Sequence, residues 1–154
     1  MSSTNKESAL QPGHIGLNVR DLEVSKEFYG RVFGFEVLAE SKEGEKIFAF
    51  LGRNDQVLIT LWEQSDREFS RQTAGLHHLS FQVGDIEEVR EAEKLLKKIG
   101  VKFHYDGVVS HSEGANSGGI FFEDPDGIRL EIYAPTGAKA LAAGKQNAPS
   151  CGFF

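Results

Sequence analysis

The chain has 154 residues, 40% apolar and 26% charged, with a net charge of −6 at pH 7; this suits one compact soluble domain or two small fused modules. No apolar run approaches the about 20 residues that span a bilayer, and an acidic balance without a long basic run argues against nucleic acid as the partner. A single cysteine, Cys151, excludes an intrachain disulfide framework, and the polar opening MSSTNKESALQPG lacks a secretion core, so the expected location is the cytoplasm.

Residues 1–11 read as a flexible N-terminal tail. The stretch HIGLNVRDL at 14–22 returns as HLSFQVGDI at 78–86, with His14 matching His78, Val19 matching Val83 and Asp21 matching Asp85. Each copy alternates like a strand and reaches an aspartate placed to cap a helix. The helices follow. LEVSKEFYGRVF carries Val24, Phe28, Tyr29, Val32 and Phe33; IEEVREAEKLLKKI carries Ile86, Val89, Ala92, Leu95, Leu96 and Ile99 at a cleaner helical spacing. Gly34 and Gly100 are the expected stops.

Each half continues with an extended piece, FEVLAE or VKFHYD, and two more strands. KIFAFLG and QVLITLW flank Arg53-Asn54-Asp55, and GGIFFE and IRLEIYA flank the turn Asp124-Pro125-Asp126-Gly127. The reading is an α+β domain over residues 12–135, made of two tandem βαβββ modules at about 12–64 and 75–135. Neither half is large enough for a comfortable core alone, so the two are expected to pair. Residues 136–154 form a C-terminal tail ending in an apolar CGFF, either a loose end or a terminus tucked against the domain or a partner chain.

Strand alternation sorts the polar residues onto faces. His14, Gly16 and Asn18 oppose Ile15, Leu17 and Val19; His78, Ser80 and Gln82 oppose Leu79, Phe81 and Val83. Arg129, Glu131 and Tyr133 share the face opposite Ile128, Leu130 and Ile132. Glu131 is a mid-strand carboxylate, which strands avoid and burial penalises. Aligning the turns puts Thr60 at the position of Glu131, with Leu58 and Trp62 on its face. Two modules related by a pseudo-twofold could bring His14, His78 and Glu131 together, a donor set suited to a divalent transition metal with positions left open. His77 falls on the Leu79 and Phe81 side and is expected to cap or pack.

The stretches GHIGLNVRDLEVSKEFYGRVFGFEV, GLHHLSFQVGDIEEV and GGIFFEDPDGIRLEIYAP resemble the vicinal oxygen chelate superfamily, which includes glyoxalase I, extradiol dioxygenases and bleomycin-resistance binding proteins. The resemblance covers residues 13–135. It implies a glyoxalase-like fold in which the mixed sheet curls around a metal cavity, with His14, His78 and Glu131 as ligands. It also implies a divalent ion (Fe, Ni, Zn, Co or Mn), a small-molecule substrate, no membrane or nucleic-acid partner, and homodimers as a possibility. Thr60 stands where glyoxalase I places Glu or Gln, and a hydroxyl is a poor ligand and base. Gly16 replaces the threonine of fosfomycin-type enzymes. SHSEGANSGGIFFEDPDG resembles the dioxygenase stretch with a catalytic histidine, which makes His111 the candidate, although Phe121 stands where a tyrosine is expected.

The expected function is thus a metalloenzyme with lyase, isomerase or dioxygenase chemistry. The alternative is a non-catalytic, bleomycin-resistance-like small-molecule binder. Thr60, Trp62, Gln82, Arg129 and Tyr133 are the expected pocket residues; Arg129 would hold an anionic substrate group or pair with an acid.

Overall fold

A computed structural model describes residues 10–154, and residues 1–9 of the expected N-terminal tail lie outside it. The first module runs β1 (Ile15–Val19), α1 (Leu22–Phe33), β2 (Glu36–Glu43), β3 (Lys46–Arg53) and β4 (Gln56–Glu63). The second runs β5 (Leu79–Gln82), α2 (Ile86–Ile99), β6 (Val109–Ser110), β7 (Gly118–Glu123) and β8 (Arg129–Ala134). This is the expected α+β arrangement of two βαβββ units.

The aspartates cap the helices as their positions imply. The Asp21 side chain accepts from the Val24 amide and that of Asp85 from the Glu87 and Glu88 amides. Both helices end on a left-handed glycine, Gly34 at φ 66° and Gly100 at φ 83°, a conformation that costs other residues a Cβ clash. The α1 stripe differs from the sequence reading. Leu22, Ser25, Phe28 and Tyr29 are buried, whereas Val24 is 47% exposed. A helical face is set by steps of three and four, and 22, 25 and 29 follow that row while 24 does not.

Each module forms its own four-stranded sheet, in the orders β1-β4-β3-β2 and β5-β8-β7-β6. The helix carries the chain from one edge of its sheet to the other, so β1 pairs parallel with β4, and β5 with β8. The registers are equivalent: Gly16 pairs with Thr60, and Ser80 with Glu131. Thr60 therefore occupies the Glu131 position of the first module, as the turn alignment requires. The extended piece VKFHYD is irregular. Its backbone meets β7 through the Phe103–Phe122 bridge and the bonds from the His104 amide to Phe121 and from the Glu123 amide to Lys102, and a left-handed Gly107 then separates it from the two-residue β6.

The helix-facing sides of both sheets share one core, with Leu17, Tyr29, Leu51, Ile59 and Leu61 from the first module and Val89, Leu96, Ile120, Phe122 and Leu130 from the second. Phe33 of α1 packs on Phe81 of β5 at a ring separation of 4.3 Å. Pooling two small apolar faces removes more surface from water than either module could alone. Each polar sheet face consequently turns away from the shared core. Residues 136–154 lie against the second module: Ala138 and Ser150 are buried, and Val109, Phe121 and Phe154 form a second, smaller apolar cluster. Among the described residues no helix is long and apolar enough to cross a membrane.

Candidate functional site

The polar face of the second sheet carries the site. Glu131 is central on β8, beside Ser80 of β5 and Phe121 of β7. The side chain is 3% exposed. His78 Nε2 lies 3.2 Å from its Oε2, and His111 Nε2 lies 2.5 Å from its Oε1. Burial alone would raise this carboxyl, but hydrogen bonds from His111, His78 and Ser80 outweigh it and bring it down to about 2. Glu131 is therefore a buried, fully ionised carboxylate.

The second nitrogen of each imidazole is also held. His111 Nδ1 lies 2.8 Å from Ser117 Oγ, and His78 Nδ1 lies 2.8 Å from His77 Nδ1. Proton counting limits the tautomers to two. The two Nδ1 atoms of His77 and His78 share one proton. If His77 supplies it, His78 carries its proton on Nε2 and donates to Glu131. If His78 supplies it, His78 Nε2 presents a lone pair. The His77–His78 contact accommodates either form, but only the first keeps the hydrogen bond to Glu131. Burial, followed by the charges of Arg129 and His78, holds His77 below the usual histidine range.

The expected residues are brought together only in part. His78 and Glu131 meet, and His111 joins them. His14 does not: it is exposed at the start of β1, and no hydrogen bond or ion pair among the described residues links it to either. His78 and His111 reach different oxygens of Glu131, so the three groups grip one another rather than a common centre. Among the described residues no three His, Cys, Asp or Glu side chains form a group that could hold a metal ion. Tyr133 donates its hydroxyl to Gln82 Oε1 at 2.8 Å, on the same face. Thr60 and Trp62 lie on the other sheet, where the Trp62 indole N–H donates to Thr60 Oγ1 at 3.0 Å and its ring packs on Phe48 and Phe50.

Arg129 is 5% exposed and forms no ion pair with an Asp or Glu side chain among the described residues. Its Nε donates to the His77 carbonyl at 3.0 Å and its Nη1 to the Phe154 carbonyl. Strand alternation puts Ser80 on this face, but sequence reading gives no sign that Ser117, His77 and Phe154 are neighbours of the site. Alternation puts His77 on the opposite side, but His77 and His78 both precede β5, where the period of two does not yet hold. For Ser117 and Phe154 no periodic signal exists, since one sits in a loop and the other in the tail.

The chain matches the sequence profile of the Glyoxalase/Bleomycin resistance protein/Dioxygenase superfamily over residues 11–132. It is 27% identical over 129 residues to a catechol-2,3-dioxygenase of Bacillus subtilis, covering 79% of this chain but only 40% of that protein. It is 31% identical over 137 residues to a probable lactoylglutathione lyase of Vibrio parahaemolyticus, covering 82% of this chain and 92% of that one. Among solved structures, a glyoxylase/bleomycin resistance protein/dioxygenase domain from Frankia sp. EAN1pec superposes with a TM-score of 0.70 at 26% identity, over 82% of this chain and 93% of that one. The fold, the tandem modules and the profile match agree, and the chain belongs to the Glyoxalase/Bleomycin resistance protein/Dioxygenase superfamily.

Proposed function

We propose that this protein is a metal-dependent enzyme of the glyoxalase/extradiol dioxygenase type that acts on a small oxygenated substrate. The observation that carries the reading is Glu131, a buried carboxylate kept ionised and flanked by two imidazole Nε2 atoms. The donor chemistry fits a divalent ion such as Fe, Ni, Zn, Co or Mn, because buried negative charge next to orientable imidazoles calls for a cation. His78 and Glu131 would hold it. When bound, such an ion supplies Lewis-acid polarisation and a template for vicinal oxygens of the substrate.

The third proposed ligand, His14, comes from a second copy in this reading. Both polar faces turn away from the shared core, and His14 stands exposed on one of them. A homodimer that lays the first sheet of one copy against the second sheet of the other would complete the site twice, as twofold symmetry requires. Thr60 and Trp62, with Phe48 and Phe50, would then wall the cavity opposite Glu131.

The remaining tasks fall to the chain itself. His111 is held at Nδ1 by Ser117 and is placed to hold or move a proton at Nε2. Thr60 is a weak base, so proton transfer rests on His111. Tyr133 and Gln82 present a linked hydroxyl and amide to a substrate oxygen.

Metal analysis of protein purified without chelator tests the reading. Stoichiometric metal is expected, and His14→Ala and His78→Ala should each lack it. Mixing the two variants should restore metal to one of the two sites of each mixed dimer, because one site regains both histidines while the other lacks both. Negligible metal in the wild-type protein, together with tight binding of a small molecule, would replace the enzyme by a non-catalytic binder.

A further inference from the structure

The second apolar cluster lies on the site face of the second sheet, and a residue of the tail fills it. Phe154 is 5% exposed. Its ring centroid lies 4.8 Å from that of Phe121, 5.1 Å from His104 and 5.4 Å from His78, the imidazole that contacts Glu131. The Arg129 guanidinium sits 5.0 Å from the same centroid and donates to the Phe154 carbonyl oxygen. An aromatic ring stacked against aromatic walls and a cation, with an oxygen acceptor two carbons away, is held as a ligand would be.

Arg129 is the second observation. A guanidinium buried to this degree is costly without an anion. Among the described residues no Asp or Glu side chain forms an ion pair with it; main-chain oxygens of Phe154 and His77 are its acceptors. A buried cation aimed into an aromatic slot, and now bonded to an oxygen of the tail, is placed to take the carboxylate of a ring compound in that oxygen's stead.

The tail reaches this slot through a defined route. Tyr105 donates its hydroxyl to the Ser150 carbonyl at 2.7 Å, the Ser150 hydroxyl donates to the Ser110 carbonyl at 2.7 Å, and the Ser150 amide donates to the His111 carbonyl at 2.7 Å. The last bond ties the tail to the loop that positions His111. The neighbouring Phe153 is 62% exposed, so apolarity alone does not seat the tail; the slot selects Phe154.

We propose that the slot bounded by Phe121, His104, His78 and Arg129 is a binding site for an aryl carboxylate, and that Phe154 is its resident intramolecular competitor. A ligand enters by displacing the tail, which frees the Ser150–His111 link at the same moment. The proposal does not depend on a bound metal, and the readouts below need none, so their failure leaves the metal reading untouched.

The probe is 3-phenylpropionate, which reproduces the ring, the two intervening carbons and the acceptor group of Phe154. Calorimetric titration should show Phe154→Ala binding it at least about tenfold more tightly than the wild-type chain, because a slot occupied about nine-tenths of the time lowers apparent affinity by that factor. Phe153→Ala should behave as wild type, and adding Arg129→Gln to Phe154→Ala should abolish the gain. In the unaltered chain, saturating 3-phenylpropionate should speed tryptic cleavage after the exposed Lys145, whereas propionate should not. Equal affinity in wild type and Phe154→Ala, or a gain that survives Arg129→Gln, overturns the proposal. If Phe154→Ala does not fold, the proteolysis of the wild-type chain decides alone, and an unchanged cleavage rate overturns it.

Discussion

The Tyr29 hydroxyl donates to Asp124 Oδ2 at 2.8 Å, joining helix α1 of the first module to the β7–β8 turn of the second. Asp124 also accepts from the Asp126 and Ile128 amides, and Asp126 in turn takes the Arg20 guanidinium at 2.7 Å. Burial dominates nonetheless and raises the Asp124 carboxyl from 3.8 to about 6.

A raised carboxyl pKa in the folded state means that folding favours its protonated form. The stabilisation is absent above pH 6, grows as pH falls through 6, and is complete below 3.8. The difference is about 3 kcal/mol at most. His77 and His104, held below 6.5 mainly by burial, act in the opposite direction over part of this window. The comparison between wild type and Asp124→Asn isolates the carboxyl. Thermal melts from pH 7.5 to 4.5 should show the wild type gaining on Asp124→Asn as pH falls; parallel curves would refute the assignment.

Tyr29→Phe removes one donor from this buried carboxylate without opening space. A loss of about 1–3 kcal/mol is expected, readable as a lower urea midpoint with an unchanged slope. Leu96→Ala, in the shared core, should cost more, about 2–5 kcal/mol, through lost burial and a cavity.

Gly52 sits at a register shift in the β3–β4 hairpin, and a Cβ there would lie 1.8 Å from the Gln56 carbonyl oxygen. The obstacle is backbone and cannot swing aside. Gly52→Ala should therefore destabilise by about 1–3 kcal/mol or more. Gly13→Ala meets nothing within 4 Å and should stay within about 0.5 kcal/mol of wild type. Equal melting temperatures for the two variants would show that the hairpin relaxes freely.

His78→Ala and His111→Ala should separate the two histidines that hold Glu131. The first should lose metal. The second should keep metal and lose turnover by about 10²–10⁴, as removal of a proton-transfer group does. Metal content paired with oxygen uptake on catechol, or with a lyase assay, gives the readout. Loss of metal in both variants would make His111 a ligand instead.

Local order carried the sequence reading a long way. The repeated HIGLNVRDL and HLSFQVGDI, the capping aspartates and the helix-ending glycines act within a few residues of chain, so both modules were legible without coordinates except for β6, which forms at Val109–Ser110 rather than in VKFHYD. Strand period and the turn alignment likewise put Thr60 and Glu131 at equivalent positions of the two modules, and the paired registers agree. Tertiary structure alone decided what covers those faces. Both sheets bury their apolar sides in one core, which leaves His14 exposed and apart from His78 and Glu131. His111 reaches Glu131 from a loop and Phe154 reaches His78 from the tail, across 20 and 76 positions of chain. Such contacts depend on packing between distant segments, and no residue period encodes them.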